Sequence, residues 1–118
     1  MIEKIKCLNL YSYKVEEMVN FYHKVLNLPI LFEGFDDKYD GVQIGLGDNQ
    51  FKICIWDRNV WSEYEGVGPV SIAMQGNINE IYNVVLENGY KIDKPVKKDW
   101  GLELEVLDPD GNHLYIMS

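Results

Sequence analysis

Four residues near the end of the chain have the types and spacing to do chemistry: Glu103, Glu105, His113 and Tyr115. A histidine can carry a proton or hold a metal. A carboxylate can orient that imidazole or attract a cation, and a tyrosine offers a hydroxyl on an apolar ring. Within each pair the residues are two apart, so in extended chain both members share a face. Between the pairs lies Asp108-Pro109-Asp110-Gly111, a tight-turn sequence. Pro109 presets φ, aspartates bond the backbone ahead of them, and Gly111 tolerates positive φ. The flanking runs alternate. Leu102, Leu104 and Val106 oppose Glu103, Glu105 and Leu107, and Asn112, Leu114 and Ile116 oppose His113, Tyr115 and Met117. This reads as a terminal β-hairpin with one face for packing and one for function. Plainer readings stand beside the functional ones: Glu103 and Glu105 as a solvated outer face, His113 as a hydrogen-bonding residue at a cleft mouth.

Other chemistry-bearing residues are scattered. Cys7 and Cys54 lie in apolar runs and form no CxxC pair, which reads as two buried, reduced thiols. Asn9 is a polar residue between apolar ones, either hydrogen-bonded in the interior or lining a pocket. Tyr11 shares its face. Trp56, Trp61 and Trp100 offer aromatic faces to a ligand or a partner. His23, beside Tyr22, reads as a solvated helix residue.

The elements that must position these residues follow from periodicity. Ile5 to Tyr11 alternates as a strand, and Val15 to Leu28 carries an apolar stripe at helical spacing, ended by Asn27-Leu28-Pro29. Three short apolar runs, Pro29 to Phe35, Gly41 to Leu46 and Phe51 to Asp57, are separated by Asp36-Asp37-Lys38 and Gly47-Asp48-Asn49 and read as a meander. Residues 58–68, with Trp61, Glu63, Tyr64 and Glu65, form a loop suited to a lid or an interface. Val70 to Gln75 is again a strand, with Ser71 and Gln75 on its polar side. Ile78 to Asn88 is a helix capped by Asn77 or Asn79 and stopped by Gly89. Tyr90 to Lys98, holding Pro95, is at best an edge strand. The order is β-α-β-β-β twice. This predicts an α+β fold in one domain, residues 1–118, built from modules of about 1–65 and 66–118. Each module has one helix to cover one face of its strands. The other faces are left to form a cleft of the kind that binds small molecules.

Composition bounds the partners. The 118 residues carry a net charge of −8, which disfavours nucleic acid and is compatible with a cationic small molecule. No apolar run approaches the roughly 20 residues of a membrane span. The chain opens with a strand-like run rather than a secretory signal, so a cytoplasmic location is expected.

Three motifs in this order resemble the vicinal oxygen chelate superfamily, which includes glyoxalases, extradiol dioxygenases and bleomycin-resistance proteins. They are Phe21-Tyr22-His23-Lys24-Val25-Leu26-Asn27-Leu28, Leu86-Glu87-Asn88-Gly89-Tyr90-Lys91-Ile92 and Asp108-Pro109-Asp110-Gly111-Asn112. The resemblance implies paired βαβββ modules whose curved mixed sheets enclose a cleft, and a homodimer for a chain of this length. It also implies four places where metal-using members hold a divalent ion with His or Glu. Those places fall at Cys7, near Ile53, at Ser71 and at Tyr115, so no metal or other cofactor is expected.

The expected function is therefore that of a metal-free binder of a small organic molecule, cationic or aromatic, on the pattern of the acidic, dimeric bleomycin-resistance proteins. Its binding residues would be Asn9, Tyr11, Trp56, Trp61, Ser71, Trp100, Glu103, Glu105, His113 and Tyr115, with no catalytic residue. Two alternatives stay open. One is a superfamily enzyme (lyase, isomerase or dioxygenase) with a non-standard metal site or acid-base chemistry by His113 and Tyr115. The other is a protein-interaction module using the Trp56 to Tyr64 loop.

Overall fold

A computed structural model describes residues 1–3, 6–33, 41–47, 51–61 and 69–118. Ile5, Phe35, the Asp36-Asp37-Lys38 and Asp48-Asn49 turns, and Glu63, Tyr64 and Glu65 of the expected loop lie outside the described residues. The chain divides into two compact units, Met1–Val67 and Gly68–Ser118.

The first unit runs β1 (Leu8–Ser12), α1 (Val15–Val19), a π-helical continuation (Asn20–Val25), β2 (Ile30–Glu33), β3 (Gly41–Gly45) and β4 (Lys52–Asp57). Its mixed sheet has the order β1-β4-β3-β2, with β1 and β4 parallel and the other pairs antiparallel. A parallel pair needs a long connection between its strands, and the helix and meander supply it. Leu8 and Leu10 share a face with Ile53, Ile55, Val42 and Ile44, and α1 packs on that side of β4. Met18, Phe21 and Tyr22 are fully buried.

The helix departs from the expected regular one. After Val19 its hydrogen bonds lengthen, with Leu26 N–H reaching the Phe21 carbonyl and Leu28 N–H the Tyr22 carbonyl. The wider turn keeps both Phe21 and Tyr22, packed edge to face with centroids 5.5 Å apart, inside the core. Asn27 then takes φ 60°, and His23 donates from Nδ1 to the Leu28 carbonyl at 2.8 Å. His23 thus closes a helix end rather than facing solvent alone.

The second unit repeats the plan: β5 (Ser71–Gln75), α2 (Ile78–Glu87), β6 (Val96–Lys98), β7 (Gly101–Leu107) and β8 (His113–Met117), in the sheet order β5-β8-β7-β6. Ile72, Leu104, Val106, Leu114 and Ile116 form the buried face, and α2 packs over β7 with Val85 fully buried. The Asn77 side chain caps α2 by accepting from Glu80 N–H at 3.0 Å.

The Asp-Pro-Asp-Gly-Asn turn is a lock. Asp108, 4% exposed, accepts from Asp110 N–H and Asn112 N–H, each at 2.9 Å, and from Asn112 Nδ2 at 2.7 Å. Gly111 takes φ 84°. The Asn112 Oδ1 atom in turn accepts from Val70 N–H at 2.9 Å. The turn between β7 and β8 thereby pins the start of β5, which pairs with β8 in parallel. Among the described residues no helix is long and apolar enough to cross a membrane.

Candidate functional site

Each sheet leaves one face uncovered by its own helix. On the second unit, strand register places Ser71, His113 and Leu107 in one row, Ala73, Tyr115 and Glu105 in the next, and Gln75, Met117 and Glu103 in the third. His113 donates from Nδ1 to Glu105 Oε1 at 2.7 Å, a diagonal contact across β7 and β8. A carboxylate can only accept here, so Nδ1 carries the proton of this bond, and Nε2 is the ring nitrogen left facing away from Glu105. The Tyr115 ring lies nearly parallel to the imidazole, at 16° with centroids 6.2 Å apart. Both partners of the dyad remain open, His113 at 41% and Glu105 at 50% side-chain exposure.

Beside this dyad is a cavity of about 400 Å³, lined in part by Lys91, Asp93, Lys94, Lys98, Glu103 and Glu105. Residues 91–94, before β6, line it together with residues of β6 and β7, so three lysines and three carboxylates border one space. The lysines were not singled out in the sequence, because residues 90–98 lack a clear period and their shared cavity arises only when β6 pairs with β7. Trp100 is placed elsewhere. It occupies the two-residue turn between β6 and β7, 65% exposed, some six strand residues or roughly 20 Å from the His113 row.

On the first unit the open face carries Asn9, Tyr11, Gln43, Cys54 and Trp56. Trp56 Nε1 donates to Asn9 Oδ1 at 2.9 Å, the Cys7 thiol donates to the same oxygen at 3.4 Å, and Gln43 Nε2 donates to Cys54 Sγ at 3.6 Å. The Trp61 ring meets Trp56 edge to face, with centroids 5.7 Å apart. Asn9 is therefore a hub on the open face rather than a residue lost in the interior. Burial, first, and hydrogen bonding to Cys7 push the Cys54 thiol up to about 11.

The sequence profile of the Glyoxalase/Bleomycin resistance protein/Dioxygenase superfamily matches residues 4–116. The chain belongs to this superfamily. TnmS3, an antibiotic-binding protein from Streptomyces sp. CB03234, superposes with a TM-score of 0.80 at 17% identity, covering 98% of this chain and 94% of that one. Lactoylglutathione lyase from Agrobacterium tumefaciens gives 0.75 at 15% identity, with 98% and 93% covered. A superfamily member from Sphaerobacter thermophilus gives 0.77 at 21% identity, with 98% and 96% covered. At such identities the likeness is one of fold. The comparison with curated proteins returns no match.

Membership makes the metal positions worth testing against the register. In the second unit Ser71 lies opposite His113 and Tyr115 two residues further on. In the first unit Leu8 lies opposite Ile53 and Asn9 opposite Cys54, so the residue two beyond the one facing Cys7 is Cys54. The fourth-strand position is thus Cys54, one residue from the expected Ile53, whose side chain turns to the helix side and is 4% exposed. The four positions hold two thiols, a hydroxyl and a phenol. No His or carboxylate stands at any of them, and among the described residues no three His, Cys, Asp or Glu side chains gather to hold an ion. This donor set does not fit the hard or borderline divalent ion that metal-using members hold.

Proposed function

We propose that this superfamily member binds a small organic molecule on the open face of its second unit without chemically altering it. The supporting observation is the cavity of about 400 Å³ beside the His113–Glu105 dyad, bordered by Glu103 and Glu105. Carboxylates there attract a cationic group, and the aromatic ring of Tyr115 offers a stacking surface. Lys91, Lys94 and Lys98 along the same cavity add a place for an anionic group, so an amphoteric compound suits the site better than a polycation. Glu105 is held in place by His113 before any ligand arrives, which lowers the ordering cost of binding. The fold shared with an antibiotic-binding protein agrees with this reading. In the same proposal the chain works as a homodimer, the pairing that its resemblance to the superfamily implies.

The test is a calorimetric and thermal-melt screen of aromatic compounds in cationic, anionic and amphoteric series. Amphoteric members should raise the melting temperature by linkage, and Glu103→Gln with Glu105→Gln together should shrink that rise. A screen in which no series shifts the melt, or in which the double substitution leaves the shift unchanged, overturns the proposal.

One observation favours a second reading. A carboxylate-oriented imidazole presenting Nε2 on an open face is also the arrangement of a general base. Turnover of a hemithioacetal or catechol, lost in His113→Ala, would make the chain an enzyme of the superfamily instead.

A further inference from the structure

Lys97 and Trp100 belong to neither reading, since neither lines the cavity. Strand register gives them another setting. β8 pairs with β7 only as far as Met117 opposite Glu103, whereas β6 and β7 continue for two more rows, Lys97 with Leu102 and Lys98 with Gly101. The β6–β7 hairpin therefore runs on past β8 as a two-stranded ribbon, closed by the Asp99-Trp100 turn. Gly101 takes φ 119°, and a Cβ placed on it would meet nothing within 4 Å, so the tip stands clear of the described residues. Its apolar groups lie in the open: Trp100 is 65% exposed, Val96 53% and Leu102 46%. Large apolar side chains gathered on one ribbon, rather than scattered singly, mark an interaction surface. Charge singles out the same stretch. Residues 91–100 hold Lys91, Lys94, Lys97 and Lys98 against Asp93 and Asp99, a net positive segment in a chain of net charge −8. All four lysines are exposed, and none forms an ion pair among the described residues.

We propose that the tip of the β6–β7 hairpin docks on an anionic lipid surface, with Trp100 as its anchor. The tip is convex, so it suits a soft surface that it can enter. Two strand rows beyond β8 reach roughly 7 Å, within the depth of about 5–10 Å at which interfacial anchors sit. Tryptophan settles at the headgroup level, where its ring is apolar and its N–H stays wet. Lys97 and Lys98 project to opposite faces of the ribbon, and their long stems let the ammonium groups reach lipid phosphates while the tip is inserted. Each lysine near an anionic surface raises binding by about fivefold, and Asp99 takes back about as much as one lysine gives. The negative charge elsewhere on the chain is screened beyond about 8 Å at physiological ionic strength, so the charges beside the tip decide. The contact is weak, reversible and peripheral.

The experiment measures partitioning of the full chain onto vesicles of phosphatidylcholine alone and of phosphatidylcholine with about a third phosphatidylglycerol, by cosedimentation and tryptophan emission. A polyglutamate peptide serves as a soluble polyanion. The expected result is binding to the anionic vesicles only, weaker at high salt, with emission shifted to the blue and quenched by lipids brominated near the headgroup. Trp100→Ala should remove that quenching and lower partitioning by about tenfold or more. Lys97→Gln should lower it by about fivefold. Both positions are exposed, and circular dichroism confirms that each variant folds. Equal binding to uncharged vesicles, no binding to anionic ones, or unchanged partitioning in Trp100→Ala would each overturn the proposal. Polyglutamate binding that needs Trp100, without lipid binding, overturns it in favour of an acidic protein partner.

Discussion

Exchanging Asp108 and Asn112 tests the lock that joins the terminal hairpin to β5. In Asp108→Asn the residue keeps an oxygen for the two backbone N–H groups. Its new amide, however, faces Asn112 Nδ2 across 2.7 Å, donor against donor. Asn112 cannot flip to relieve this, because its oxygen already accepts from Val70 N–H at 2.9 Å. Losing a charge-assisted bond and stranding buried donors should cost about 2–4 kcal/mol. In Asn112→Asp two carboxylates, at positions 4% and 5% exposed, face each other, and the cost should be similar or larger. Independent costs would add to roughly 5–8 kcal/mol, comparable with the whole stability of a small domain. The double exchange restores every bond, with the new amide at 108 donating to the new carboxylate at 112 and that carboxylate accepting from Val70. It should therefore lie within about 2 kcal/mol of the native chain, a coupling of about 3 kcal/mol or more. Urea unfolding followed by circular dichroism gives the four stabilities, and exchange of the Val70 amide gives the local opening. A double variant as unstable as the sum of the singles would refute this account of the turn.

Three further outcomes follow from the geometry. Replacing Glu103 or Glu105 with Gln should weaken a cationic or amphoteric ligand by about 3- to 10-fold at low salt, and by less at high salt, because these carboxylates are partly exposed; titration calorimetry at two ionic strengths checks both. With its pKa raised to about 11, Cys54 stays a thiol at pH 8. An alkylating reagent should then modify Cys7 first and Cys54 only after denaturation, as mass spectrometry would show. The raised value also carries a sign for stability: the contribution is full below the pKa of the unfolded thiol and is lost as pH climbs through the folded value, so stability should fall between about pH 9 and 11. Asn77→Ala removes the cap on Glu80 N–H and should cost about 1 kcal/mol, read as a lower urea midpoint with unchanged slope.

Much of the fold was legible because its signals are local. Alternation within β7 and β8 separated Leu104, Val106, Leu114 and Ile116 from Glu103, Glu105, His113 and Tyr115. That separation is the division between the buried and open faces of the second sheet. Asn77 and Gly89 bounded α2, and the Asp108 to Asn112 turn could be named from residue types alone, since each acts on backbone a few residues away. The π-helical stretch was not legible. The same apolar stripe fits a regular helix, and only the packing of Phe21 and Tyr22 together widens the turn.

What joins residues across strands was decided by the tertiary structure. Sequence alternation assigns a side chain to a face but not to a row, and a row depends on register between strands that meet only after folding. The His113–Glu105 bond therefore appeared only with the register, as did the gathering of Lys91, Lys94 and Lys98 around one cavity. So did the hydrogen bond of Trp56 to Asn9 across more than forty residues. The same cause explains the one-residue shift from Ile53 to Cys54: in a strand a single step turns a side chain from the open face into the core.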